Sequence, residues 1–130
     1  MLFLLKLHGG LRWLVALGAV VAIVRFAYGW FSRQEYKGLD RGLMAGVTGL
    51  LDLNFLFGMT LLFLLGVTGA SNRIEHAATM FLALAVIHAS AMWRRSDDAV
   101  KKFRNNLIVV LVASILVVVG VFRLRGGWIF

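Results

Sequence analysis

Apolar residues along this chain gather into four long runs, at 7–30, 43–65, 74–93 and 107–122, with short polar stretches between them. Each run is near the ~20 residues an α-helix needs to cross the hydrocarbon of a bilayer. None alternates apolar and polar positions as a barrel strand does. A segment in lipid must also satisfy its own backbone hydrogen bonds, so the four runs are expected to be helices. Connections at 31–42, 66–73 and 94–106 are short, which makes sequential helices antiparallel. The expected fold is therefore all-α: one domain, residues 1–130, forming an integral membrane four-helix up-down-up-down bundle. The first run is longer than the apolar core of a signal peptide and is read as a retained span.

Composition agrees. With 61% hydrophobic residues in 130, a soluble domain of this size has too little interior to hide its apolar surface, and lipid must cover the remainder. The absence of cysteine excludes disulfides, thiolate metal sites and Fe–S ligation by this chain. No nucleophile–base pair, P-loop or glycine-rich nucleotide motif is present, so no enzymatic activity of its own is expected.

The net charge of +8 does not point to nucleic acid, because the basic residues flank apolar runs instead of forming a basic face interleaved with aromatics. Arg33, Lys37 and Arg41 lie between the first two runs, and Arg94, Arg95, Lys101, Lys102 and Arg104 between the last two. The opposite side carries Lys6, Arg12, Arg73, Arg123 and Arg125. The positive-inside bias thus predicts both termini outside, with Trp13 and Trp128 marking the outer interface and Trp30 and Trp93 the inner one.

Few polar residues interrupt the runs: His8, Arg12, Arg25, Asp52, Asn54, His76 and His88. His8 starts the first helix and His76 the third, so both are expected at similar depth near the outer face. Two imidazoles facing each other across a bundle are how proteins hold a b-type haem, each supplying an axial nitrogen. Arg12, four residues after His8, and Arg73, three before His76, are placed to pair with haem propionates. Gly9 and Gly10 would leave room beside the ring. The alternative is that His8 and His76 are interfacial residues bonded to headgroups, water or Glu75. A bare metal ion at the pair would have a thin ligand set, two imidazoles plus Glu75. His88 follows His76 by twelve residues, about 120° around the helix, and the first helix has no second histidine, so at most one haem is expected.

Arg25, Asp52, Asn54 and His88 form a second constellation in the inner half. A carboxylate inside hydrocarbon requires a partner, and Arg25 or His88 is the natural one for Asp52. The group reads as a buried polar lock, with Thr60, that sets helix register, or as a proton relay or quinone-headgroup site. The lock is preferred, since a proton path needs more titratable stations. Gly42 and Gly46 form a GxxxG, with Gly49 beyond it, for close packing within the bundle or docking of another subunit. Met44, Met59, Met80 and Met92 read as packing residues.

The string Leu7-His8-Gly9-Gly10-Leu11-Arg12-Trp13, the segment from Leu51-Asp52-Leu53-Asn54 to Gly58, and Arg73-Ile74-Glu75-His76 followed by Met80 and His88 together resemble small four-helix bacterial membrane proteins commonly labelled cytochrome b-like. The resemblance covers most of the chain. It implies a multi-pass protein of the bacterial inner membrane in which His8, His76 and His88 matter. A single histidine on the first helix departs from the diheme cytochrome b pattern, which puts electron transfer across the membrane by this chain in doubt. Four short helices enclose little volume but offer much lateral surface for lipids and other subunits. The expected function is therefore an accessory subunit of a multi-subunit respiratory or photosynthetic electron-transfer complex, holding one haem b. The alternatives are a cofactor-free structural or assembly subunit and a small proton-coupled carrier using Asp52.

Overall fold

The computed structural model of the chain describes residues 2–66 and 71–125. They form four helices: α1 Leu2–Phe31, α2 Gly38–Leu65, α3 Ser71–His88 with a 3₁₀ extension Ala89–Met92, and α4 Ala99–Arg125. All four are long and apolar enough to cross a membrane. Neighbours in sequence pack side by side, and α4 closes the ring by packing on both α1 and α3. The pairs α1/α3 and α2/α4 face each other diagonally. The protein is an integral membrane four-helix up-down-up-down bundle.

Each helix reaches beyond its hydrophobic run. The first two turns of α4 are polar, with Lys101, Lys102, Arg104 and Asn105. Nothing there breaks a helix, and outside hydrocarbon a polar turn is as stable as an apolar one. Asp98 caps that start by accepting from the Lys101 amide at 3.1 Å. Asp40 does the same for α2, its Oδ2 accepting from the Lys37 amide at 2.9 Å. α1 ends where Arg33 turns left-handed at φ 50°, and the Gln34 amide reaches back to the Gly29 carbonyl at 2.9 Å. α2 stops at Gly66, φ 81°, a backbone angle that glycine adopts without strain. Trp128 lies outside the described residues.

The core is tightest toward the end bearing the 32–37 and 93–98 connections, called here the loop end. Ala22, Phe26, Ala83, Ile87, Phe103 and Val110 are all buried. A Cβ on Gly29 would stand 2.5 Å from the Phe103 ring, so this glycine is what lets α4's phenyl group press against α1. Outward-facing Leu14, Leu17, Val24, Ile115 and Val119 are exposed, a continuous apolar girdle that lipid covers.

A polar lock does hold the bundle, but at a different height from the one expected. Arg25 donates through Nε and Nη2 to the two Asp40 oxygens at 2.6 and 3.1 Å. The Arg25 guanidinium also lies 5.3 Å from the centre of the Phe103 ring. Trp93 Nε1 donates to Asn106 at 2.7 Å, and Asn106 Nδ2 donates to the Tyr36 hydroxyl at 2.9 Å. Burial pushes the Tyr36 hydroxyl pKa up. Tyr36 packs edge-on against Phe103 with ring centres 5.0 Å apart. Asp40 and Asn106 are 2% and 3% exposed, so these polar groups are buried and paired, as burial demands.

The expected network of Arg25, Asp52, Asn54 and His88 is thereby divided. Arg25 stands six residues from the end of α1, level with the third residue of α2, and three further turns separate that residue from Asp52. Thr60 bonds within its own helix, to Leu56 O at 2.9 Å. The glycine face is also corrected: a Cβ at Gly42, Gly46 or Gly49 would meet nothing within 4 Å, so this stripe points away from the bundle.

Asp40→Ala leaves a half-covered guanidinium without its carboxylate and should lower stability in detergent by about 2 kcal/mol. Asp52→Ala, which removes a half-exposed partner, should cost about 1 kcal/mol or less. Reversible unfolding in mixed micelles, followed by circular dichroism, compares the two; equal losses would place the lock wrongly.

Candidate cofactor site

Toward the opposite end, where α1 begins and α4 ends, the bundle contains a cavity of about 460 Å³ bounded by all four helices. Leu51, Phe55, Leu62, Met80, Leu84 and Val117 form apolar walls, and the polar groups on its lining are His8, Arg12, Asn54, Arg73 and His76. α2 and α3 are the least closely packed neighbours in the ring, and both border the cavity.

His8 lies nearly two turns into α1 and His76 more than one turn into α3, deeper than the helix starts at which the sequence reading set them. Their ring centres are 6.4 Å apart, with planes at 83°. His8 Nδ1 donates to Asn54, whose backbone and side-chain oxygens lie at 3.0 and 2.9 Å. His76 Nδ1 donates to the Gly120 backbone oxygen at 3.0 Å. Carbonyl oxygens only accept, so each Nδ1 carries a hydrogen, and in a neutral ring the lone pair is then on Nε2. This is the tautomer of a metal-binding histidine, with the second nitrogen anchored to a carbonyl that fixes the ring's orientation.

Two glycines make the arrangement possible. A Cβ on Gly58 would stand 2.8 Å from His8 Cε1, and one on Gly120 would stand 2.5 Å from Met80 Cε and 3.3 Å from Thr79 Cγ2. Gly58 therefore admits the His8 ring against α2, and Gly120 lets α3 approach α4 closely enough for its carbonyl to receive His76. Of the two glycines expected beside the ring, Gly9 lines the cavity, whereas a Cβ on Gly10 would meet nothing within 4 Å.

Both arginines reach the cavity. Arg12 Nη1 donates to Gly9 O at 2.8 Å, and its guanidinium lies 5.4 Å from the centre of the Trp13 ring. Glu75 pairs with Arg123 Nη2 at 3.1 Å on the exposed α3–α4 surface. Among the described residues no group of three or more His, Cys, Asp or Glu could hold a metal ion. A bare ion would find two imidazoles here, too few for a closed site, whereas a porphyrin brings four nitrogens of its own.

Asp52 and His88 come together elsewhere, on the lateral α2–α3 surface. His88 Nε2 donates to the carboxylate oxygens at 2.8 and 3.0 Å, and neither residue lines the cavity. Asn54 joins His8 instead of Asp52. The residues that sequence reasoning missed are Gly58 and Gly120, and Asn54 in the role of anchor. A usable signal existed for two of them: Asn54 and Gly58 are four apart and share the helix face that meets His8. Comparison with protein-family models, curated proteins and solved structures finds no match.

Gly58→Ala should force the His8 ring out of its position, break its Nδ1 hydrogen bond and cost about 1–3 kcal/mol by overpacking. In ¹⁵N-histidine spectra the His8 ring resonances should move while those of His88 stay; unchanged His8 signals would show that the ring does not depend on this glycine.

Proposed function

We propose that this chain is a small electron-transfer subunit of a larger membrane complex and that it holds one b-type haem between His8 and His76. The observation that carries the reading is the pair of imidazoles at one apolar cavity, each with Nδ1 committed to a carbonyl. Two imidazoles bound through Nε2 to one metal at about 2.0 Å, with about 1.1 Å from nitrogen to ring centre, have centres about 6 Å apart. The 6.4 Å separation fits that spacing. The cavity's volume lies within the ~300–1,000 Å³ of pockets that take small molecules and cofactors. Its apolar walls suit a macrocycle, and Arg12 and Arg73 suit two carboxylates. When bound, the haem would supply one-electron chemistry; the protein's part is to orient both imidazoles, exclude water and set the polarity around the ring.

A single redox centre in one half of a bundle needs a donor and an acceptor supplied by others, which is why the subunit reading accompanies the haem. The carrier alternative loses support because Asp52 faces sideways and does not line the cavity. The remaining alternative is a cofactor-free assembly subunit.

Protein purified from haem-supplied cells should show a Soret band and, on reduction, a sharp α-band. His8→Ala and His76→Ala should each lower haem content by about tenfold or more, equivalent to at least about 1.4 kcal/mol of binding. Arg12→Ala and Arg73→Ala should weaken retention less. A colourless, folded wild-type preparation would overturn the haem, and recovery only as a free monomer after mild extraction would overturn the subunit assignment.

A further inference from the structure

Neither the lock nor the cavity uses the Asp52–His88 pair, which lies near the middle of α2, unlike the Glu75–Arg123 pair near the helix ends. Asp52 is the fifteenth of the 28 residues of α2, so about 20 Å of helix lies on either side of it. His88 precedes Trp93 by five residues. The pair therefore sits within the hydrocarbon, yet its side chains are 55% (His88) and 43% (Asp52) exposed at the lateral surface. A polar pair facing acyl chains is costly, and here it lies on the α2–α3 seam, where the helices are least closely packed. Further along the same seam, one turn on α2 and two on α3, Phe55 and Phe81 meet with ring centres 6.4 Å apart, and Phe81 is 61% exposed.

We infer that this seam is a lateral binding site for a membrane-soluble quinone or quinol. The ligand must arrive through the lipid, since the site opens sideways within the bilayer. Its polar group must reside at that depth, which excludes phospholipid headgroups, and must exchange hydrogen bonds with an imidazole. A quinone ring on an isoprenoid tail meets all three conditions. His88 Nε2 is committed to Asp52, and among the described residues no other hydrogen bond to His88 is present. Its Nδ1 is thus the atom that accepts from a quinol hydroxyl or, when the ring is protonated, donates to a quinone carbonyl. Asp52 orients the imidazole by accepting from Nε2. Phe81 offers a face on which the quinone ring stacks. The site stands without the haem.

The test is a titration of the purified chain, in phosphatidylcholine nanodiscs, with a decyl-substituted benzoquinone and its quinol. Saturable binding should move the His88 ring ¹⁵N resonances. His88→Phe should weaken affinity by about tenfold or more, Asp52→Asn by less, and the distant surface variant Glu75→Gln not at all. Equal affinity of wild type and His88→Phe overturns the proposal, as does a saturated sample in which the His88 signals have not moved. A second copy of the chain seated on the seam, detected as a dimer that the quinone does not dissociate, also overturns it. Where His88→Phe fails to fold, the wild-type resonances and Asp52→Asn decide. Protein that is colourless when purified from haem-supplied cells yet binds quinone rejects the haem and leaves this site standing.

Discussion

Phe103 presses into the space that Gly29 leaves on α1, and round that contact the helices are tied by groups that lipid would punish if they were left alone. Arg25 and Asp40 join α1 to α2, while Trp93, Asn106 and Tyr36 join the end of α3, the start of α4 and the first connection. Between helices in lipid the hydrophobic effect contributes little, because acyl chains are as apolar as leucine, so close packing and polar contacts carry association. At the loop end the two kinds coincide round a buried phenyl ring. Closure at one end leaves the other half of the bundle able to hold a cavity bounded by all four helices without the structure coming apart.

The same logic explains why the histidine pair is built as it is. An imidazole beside an apolar cavity loses water and must recover its hydrogen bond from protein. Asn54 and the Gly120 carbonyl supply it, at the expense of any side chain on Gly58 and Gly120. The outcome is two rings each anchored through Nδ1. Such an arrangement fixes the orientation of both imidazoles at the cavity.

Fold class was readable from the chain because length and hydrophobicity of each run answer directly to bilayer thickness. Helix ends were not, since polar turns such as those opening α4 carry no hydrophobic signature. The pairing of His8 with His76 followed from depth alone, a coordinate that counting residues supplies. Partners of Asn54 and Arg25 required rotation as well as depth. Asp52 and Asn54 are two residues apart, or about 200° around the helix, so they face opposite sides of α2. Grouping them in one network conflicted with helical periodicity. Arg25 had a closer acid in Asp40, which polar sequence context made look like part of a solvated connection.

That 200° separation has a consequence for how the molecule is organised. A single turn of α2 presents Asn54 inward, to His8 and the cavity, and Asp52 outward, to His88 and the lipid. Phe55, adjacent to Asn54, lines the cavity and also meets Phe81 on the seam. The interior site and the lateral dyad therefore share both a helical turn and an aromatic wall, so a ligand seated at one bears on side chains that shape the other. The sparse polar inventory of this chain is thus divided between two places, a dyad on the lipid-facing side of α2 and an imidazole pair within the bundle.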